Sequence, residues 1–291
     1  MNVVLVPGQG SQTPGMLAPW LELPGAAAAV AAWSDAAGLD LVHLGTVADA
    51  DAIRDTAVAQ PLLTATALLS ATALSTGPDL VCGHSIGELG ALALAGVLTP
   101  VEAVVLAAER GRLMAKAAAE RPTGMAATLG GDEAETRAVA ETYGLEVATV
   151  NVAGQTVYGG AVEALQAFAE AGPGGARVRR LETAGAFHTS AMAPAVPGFA
   201  DLVASVTPRD ARIPVVANAD GAVLTDGRSL LDRLVVQLTG PVRFDLCLAT
   251  VAAREPAAIV ELAPGGTLAA LVKRAVPGVA LTALKTPADL A

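Results

Sequence analysis

A largely parallel α/β sheet with a second, smaller sheet set into it is the fold that this 291-residue chain predicts. Three observations point there. Short apolar runs alternate with alanine-rich helical segments at both ends of the chain, the rhythm of consecutive βα units. The pentapeptide Gly83-His84-Ser85-Ile86-Gly87 stands between an apolar run, Asp79-Leu80-Val81-Cys82, and a small-residue helix over 88–98. The middle of the chain breaks the rhythm with the order strand, helix, strand, strand, helix, strand.

In chain order, Asn2-Val3-Val4-Leu5-Val6-Pro7 reads as a buried strand opening into the loop Gly8-Gln9-Gly10-Ser11-Gln12. That loop is not a P-loop, because no Gly-Lys-Ser/Thr follows, and the third glycine of a dinucleotide fingerprint is out of place. Segments 26–37 and 61–74 carry helical periodicity with alanine-rich packing faces. Pro100 opens another helix, through Glu102, Leu106, Arg110 and Met114. Then 125–129 reads as a strand, 133–143 as a helix, 146–150 and 156–158 as strands, and 162–171 as a helix. After the linker Gly172-Pro173-Gly174-Gly175, a strand over 178–181 closes the set. The order βαββαβ is ferredoxin-like. Residues 123–183 are therefore expected as a subdomain inserted into a discontinuous α/β domain formed by 1–122 and 184–291. The α/β rhythm resumes with a strand at 214–217, a helix at 230–238, a strand at 258–262 and a helix from Thr267.

Composition narrows the function classes. Hydrophobic residues make up 53% of the chain and aromatic residues only 3%, so a large core must be packed from small side chains. No apolar run approaches the roughly 20 residues that a bilayer span requires. The first apolar stretch has no basic segment before it, so a signal peptide is not expected. Cys82 and Cys247 are too few and too distant for a disulfide framework, in keeping with a reducing cytoplasm. His43, His84, His188 and the two cysteines show no metal-ligand spacing. A net charge of −10 disfavours nucleic acid, and it opposes an acidic protein partner unless basic residues cluster locally.

The chemistry centres on the pentapeptide. A Gly-x-Ser-x-Gly turn from strand to helix needs small residues on both sides of the serine, so that the hydroxyl can stand clear of the backbone. The helix that follows points its N-terminus at Ser85, favouring negative charge there. By spacing alone, plainer readings stand beside the functional ones: a surface serine on a tight turn, a structural histidine at 188, and an arginine at 110 snorkelling from an amphipathic helix.

Six ordered blocks carry a resemblance over essentially the whole length: Pro7 to Gln12, Ala59-Gln60-Pro61, Gly83 to Glu88, Glu109-Arg110-Gly111, Ala186-Phe187-His188 and Gln237-Leu238. In these the chain resembles the malonyl-coenzyme A:acyl carrier protein transacylases of fatty acid and polyketide synthesis. The resemblance implies an α/β-hydrolase-like large domain with the ferredoxin-like insertion, and ping-pong acyl transfer without metal or redox cofactor. Its substrates would be a coenzyme A thioester and an acyl carrier protein. Neither nucleic acid nor membrane is an expected partner, and the protein is expected to be a cytoplasmic monomer.

Residue by residue, the resemblance makes Ser85 the nucleophile and His188 its base, with the main-chain carbonyl of Gln237 in place of an orienting acid. It makes the amides of Gln9 and Ile86 the oxyanion donors. Arg110 would bind the malonyl carboxylate as a planar fork. Gln60, Met114, Phe187 and Asn151 would line the pocket, Phe187 and Ile86 leaning toward malonyl over methylmalonyl units. Thr149 and Gly240 stand where relatives often carry asparagine. A basic patch for the acidic carrier protein is expected from Arg177, Arg179 and Arg180 on the last strand of the subdomain, with Lys116 and Arg121. The rivals are a trans-acting polyketide acyltransferase with another client, and a serine thioesterase or hydrolase.

Overall fold

The computed structural model describes residues 1–290, and its strands fall into two sheets. In chain order the strands are β1 (Asn2–Val6), β2 (Leu80–Gly83), β3 (Thr123–Leu129), β4 (Glu146–Val152), β5 (Gln155–Ala161) and β6 (Arg177–Leu181), then β7 (Val215–Val216), β8 (Val223–Leu224), β9 (Val242–Arg243), β10 (Ala258–Glu261) and β11 (Ala280–Ala283). The helices are α1 (Ala26–Ala37), α2 (Leu41–Thr46), α3 (Thr56–Ala71), α4 (Gly87–Ala95), α5 (Pro100–Ala119) and α6 (Glu133–Thr142), then α7 (Val162–Ala171), α8 (Val196–Ser205), α9 (Gly227–Gln237), α10 (Phe244–Ala252) and α11 (Thr267–Ala275).

The larger sheet has the order β11-β10-β1-β2-β7-β8, parallel throughout except for the antiparallel pair β7/β8. Its centre is buried on both faces, which is why β1 and β2 read as unbroken apolar runs rather than as alternating ones. The smaller sheet has the order β6-β3-β5-β4-β9. Its four strands from the middle of the chain pair antiparallel, in the spatial order fourth, first, third, second. That is the ferredoxin-like arrangement expected from βαββαβ. The fifth strand, β9, comes from far beyond residue 183 and pairs parallel to β4, tying the two sheets together.

Alternation along β3 and β5 gives the small sheet two faces. Ala126 and Tyr158 turn toward α6 and α7, joining Ala140, Leu165 and Phe168 in a separate small core. Met125, Ala127 and Val157 turn the other way and pack with the main core. The main core is built around α3 and α5. Helix α5 starts on a capping box, Thr99 with Glu102, and carries Pro100 in its first turn.

The periodicity places the start of α3 at Pro61, but the helix begins at Thr56, with the Asp55 side chain accepting from the Ala57 amide at 2.8 Å. A good N-cap and continuous burial of residues 59–70 keep Pro61 inside the helix despite its missing donor. Helices α2, α8 and α10 and strand β11 were not expected. Pro197 sits in the first turn of α8, where proline is tolerated.

The turn from β2 to α4 shows why the pentapeptide needs its glycines. A Cβ on Gly83 would overlap the main chain at Gly87 and Glu88, and one on Gly87 would overlap the Val6 carbonyl of β1. Gly77, in contrast, faces open space at ordinary φ. Gly87→Ala is therefore expected to destabilise by about 1–3 kcal/mol or more, and Gly77→Ala to stay within about 0.5 kcal/mol of wild type. Urea titrations of the two variants check this; equal midpoints would refute the packing account.

Candidate active site

Ser85 leaves β2 in the left-handed region, at φ 53°, and His188 is held at φ 62°. Non-glycine residues in that region are strained by roughly 1–3 kcal/mol each and persist only where the surroundings fix them. Here the fixing contacts are visible. The Ser85 amide donates to Asn218 Oδ1 at 2.7 Å, and Asn218 Nδ2 donates back to the Gly83 carbonyl at 2.6 Å. The elbow is thus fastened on both sides of its turn by one side chain.

Ser85 Oγ lies 2.7 Å from His188 Nε2, and His188 Nδ1 lies 2.7 Å from the main-chain oxygen of Gln237. A carbonyl can only accept, so Nδ1 carries the proton and Nε2 presents its lone pair to the serine hydroxyl. Burial, reinforced by the nearby Arg110 cation, pushes His188 down to about 3. The imidazole is therefore neutral at physiological pH, as a base must be.

Arg110, on α5, is 1% exposed. Its Nη1 donates to Gln60 Oε1 and its Nη2 to Gln237 Oε1, both at 2.8 Å, and Nη2 stands 3.5 Å from Ser85 Oγ. Both close acceptors are neutral amides, and Nε has no partner among the described residues. Burial draws the guanidinium down to about 10, with Glu88 pulling the other way, so it remains a cation near neutrality. The snorkelling alternative fails on this burial.

Two residues that sequence reading left without a role complete the arrangement. Glu88, in the first turn of α4, is 5% exposed and accepts from the Asn218 amide at 2.7 Å and from Gln237 Nε2 at 2.5 Å. Burial pushes its carboxyl up, while the Asn218 amide and Arg110 pull it down, and with a donor facing each of its oxygens the acceptor-only carboxylate is the form that this geometry fits. Asn218, in the turn after β7, has no nearby motif in the sequence to announce it. Glu88 was visible within the Gly83 to Glu88 block, but an acid in a first helical turn is most simply read as a dipole partner.

The first amides of α4 are taken by carbonyls of the turn itself: Gly87 by His84, Glu88 by Ser85 and Leu89 by Ile86. The amides of Ile86 and Gln9 donate to no acceptor among the described residues. Gln9 anchors its own loop through its side chain, which bonds Thr56 Oγ1 at 2.7 Å.

Ser85, His188 and Arg110 share one cavity of about 630 Å³ between the two sheets, with Gln9, Gln60, Met114, Asn151 and Phe187 also in its wall. Gln60 turns its Nε2 to the Met114 sulfur at 3.3 Å, leaving its oxygen for Arg110. Asn151 receives His84, whose Nε2 is 3.0 Å from Asn151 Oδ1 and whose ring lies edge-on to Phe244. His84 is thereby turned away from the serine hydroxyl. Thr149 lies in the same wall. Arg274, near the end of α11, also borders the cavity and was not singled out from the sequence. It reaches Gln155 Oε1 at 2.9 Å and the Ala153 carbonyl at 2.8 Å, bridging α11 to the β4–β5 turn.

Arg177, Arg179, Arg180, Lys116 and Arg121 are all exposed, and none takes part in an ion pair among the described residues. β6 is the edge strand of its sheet, and alternation divides its arginines. Arg177 and Arg179 share a face with Leu181, which borders the cavity, whereas Arg180 shares the face of Val178, packed on the α6/α7 core.

Known proteins match this chain along its length. It is 51% identical to the malonyl CoA-acyl carrier protein transacylase of Mycobacterium tuberculosis strain H37Rv, over 100% of this chain and 98% of the relative. The crystal structure of MCAT from Mycobacterium tuberculosis superposes with a TM-score of 0.96 at 51% identity, covering 100% and 98% of the two chains. A malonyl-transacylase solved in complex with its type II PKS acyl-carrier protein superposes with a TM-score of 0.91 at 28% identity, covering 99% and 97%. The model of the acyl transferase domain matches residues 3–284, and the chain belongs to that acyltransferase family.

Proposed function

We propose that the chain moves a malonyl group from malonyl-coenzyme A to the phosphopantetheine thiol of an acyl carrier protein, through an acyl-enzyme on Ser85. The observation that carries this reading is Arg110, a buried guanidinium 3.5 Å from the nucleophile and bonded only to neutral oxygens. Such a cation selects an acyl group that ends in a carboxylate. Relatives named as malonyl transacylases at 51% identity support the same acyl unit, and the relative solved with a carrier protein supports the acceptor.

In the first half-reaction His188 Nε2 takes the Ser85 proton as Oγ attacks the thioester carbon. The amides of Gln9 and Ile86 hold the resulting oxyanion, a role in which one donor is worth about 2.7–4 kcal/mol of transition-state stabilisation. The carbon–sulfur bond then breaks, and His188 returns its proton to the departing coenzyme A sulfur. In the second half-reaction the pantetheine thiol gives its proton to His188 and attacks the serine ester, and Ser85 Oγ leaves with that proton. One thioester is exchanged for another, so the step is near energetic neutrality and asks for no redox group. Phe187, 6% exposed in the cavity wall next to His188, would crowd a methyl on the acyl α-carbon.

A serine hydrolase built on the same elbow normally orients its histidine with an acid. A main-chain carbonyl in that place, with an uncompensated cation beside it, favours transfer of a dicarboxylic acyl group. We take residues 123–183 as a subdomain inserted between 1–122 and 184–291, its inner face forming one wall of the cavity. No helix among the described residues is long and apolar enough to cross a membrane. The reading puts the enzyme in the cytoplasm, where its thioester donor is found.

Replacing the guanidinium tests the acyl preference directly. Arg110→Ala should lower kcat/KM for malonyl-coenzyme A by about 10- to 150-fold, the worth of a charged hydrogen bond, and leave acetyl-coenzyme A little changed. Parallel losses for both thioesters would remove Arg110 from acyl recognition.

The protonation of His188 makes a stability prediction. The unfolded chain takes up a proton at this residue near pH 6.5, whereas the folded site resists it down to about 3. The folded pKa is depressed, so this contribution is whole above pH 6.5 and is lost as the pH falls below it. By pH 5 the loss is about 2 kcal/mol. Between pH 7 and 5 the urea midpoint of the wild type should fall further than that of His188→Asn. Equal falls would show that the site does not hold a neutral imidazole.

For carrier docking, Arg179→Glu should raise KM for the carrier protein more than KM for malonyl-coenzyme A. Arg180→Glu, on the opposite face of β6, should do so less. If the two reversals act alike on both substrates, the docking face lies elsewhere.

A further inference from the structure

We propose that Glu88 is a positioning residue whose two carboxylate oxygens set both the acyl-binding guanidinium, through Gln237, and the nucleophile elbow, through Asn218. The inference rests on the function proposed above and adds to it the residues that hold Arg110 and Ser85 in register.

The geometry is a branched relay. One arm runs from Glu88 Oε2 to Gln237 Nε2 and from Gln237 Oε1 to Arg110 Nη2, at 2.5 and 2.8 Å. The other runs from Glu88 Oε1 to the Asn218 amide and from Asn218 Oδ1 to the Ser85 amide, each at 2.7 Å. The arms are cross-linked, because Gln237 Nε2 also donates to Asn218 Oδ1 at 3.2 Å. Glu88, Asn218 and Gln237 are all buried, so water is a poor substitute for any of these partners.

Donor and acceptor chemistry makes the carboxylate necessary. A side-chain amide such as that of Gln237 can present either its oxygen or its NH2 to Arg110, and only the oxygen is compatible with a guanidinium. Facing an acceptor-only carboxylate, the NH2 must turn to Glu88, which leaves the oxygen for Arg110. The main-chain carbonyl of the same residue orients His188. Gln237 thus touches the base with its backbone and the acyl-selecting cation with its side chain, and Glu88 settles which way that side chain lies.

An isosteric amide at position 88 cannot do the same. Glu88 meets two donors, the Asn218 amide and the Gln237 NH2, whereas a glutamine offers one acceptor and one donor. If its oxygen faced Asn218, its NH2 would oppose that of Gln237, turn the Gln237 amide over and bring a donor against Arg110. If its oxygen faced Gln237, its NH2 would oppose the Asn218 amide and loosen the elbow instead. The Asn218 main-chain amide cannot turn over and the Gln237 side chain can, so the first orientation prevails and acyl selection is what suffers.

The two arms have separate readouts. Glu88→Gln should contract the ratio of kcat/KM for malonyl- over acetyl-coenzyme A by about tenfold, because the misplaced guanidinium loses a charged hydrogen bond to the malonyl carboxylate. Asn218→Ser should instead lower kcat for both thioesters together and keep the ratio, because the side chain's short bonds go to the Ser85 turn, while Gln237 stays held by its 2.5 Å bond to Glu88 when the 3.2 Å contact is lost. A merely structural Glu88 would lower Tm and leave the ratio unmoved. An E88Q protein that is folded by circular dichroism and keeps the wild-type ratio overturns the proposal, as does an N218S protein with wild-type rates. Should E88Q not fold, Glu88→Asp takes its place, since it keeps both acceptors but stands one methylene short of reaching both donors. A wild type that does not acylate with malonyl-coenzyme A would sink the proposed function itself, which separates that failure from this one.

Discussion

The site is organised by a buried positive charge that no carboxylate touches. Arg110 is fixed by the side-chain oxygens of Gln60 and Gln237, which locate the guanidinium without neutralising it. In a low-dielectric interior such a charge acts on everything near it. It adds to burial in keeping His188 neutral, opposes the rise of Glu88, and stands 3.5 Å from the serine hydroxyl. A direct ion pair with Glu88 would have been electrostatically better for the resting protein but would have neutralised the guanidinium proposed to receive the acyl carboxylate. Inserting Gln237 between the acid and the arginine keeps the acid near enough to moderate the burial penalty and too far to occupy the fork.

The two sheets bring these groups together from distant parts of the sequence. Ser85 comes from the β2–α4 elbow, Arg110 from the middle of α5, His188 from the segment after β6, and Gln237 from the last residue of α9. The small sheet contributes no proton-transfer group. Met125, Ala127 and Val157 on its inner face make an apolar wall, which in the proposed mechanism disfavours water beside the acyl-enzyme ester and strengthens the electrostatics of the other wall. The strand β9, far along the chain, pairs parallel to β4 and so fixes that wall by more than the chain connections at its two ends.

How much of this was readable in the sequence depended on whether a residue's role is local. Ser85 announces itself because Gly83 and Gly87 are demanded by backbone overlaps within a few residues and with β1. The βαββαβ order was legible because each element carries its own periodicity. The placement of His188, Arg110 and the Gln237 carbonyl around Ser85 was legible only through resemblance, since a lone histidine or arginine has no local signature. Asn218 left no mark at all: its partners Ser85, Gly83 and Glu88 lie some 130 positions away in the chain. The start of α3 was misjudged for a related reason. Pro61 is a loud local signal, and the Asp55 cap together with burial in the core outweighs it.

A carbonyl behind the histidine, rather than a carboxylate, fits the acceptor that the enzyme must choose. An acid would stabilise the imidazolium and raise the base, which helps when the leaving group is a poorly departing amine. Here the leaving group is a thiolate, and a strongly acidic imidazolium returns its proton to sulfur readily. The same weakness works against water. A thiol with a pKa of about 8.5 gives its proton to a weak base far more easily than water does, whose pKa is about 15.7. With His188 as the proposed base, its depressed pKa, the carbonyl of Gln237 and the apolar wall of the small sheet therefore act in one direction, toward transfer of the acyl group to sulfur and away from its hydrolysis.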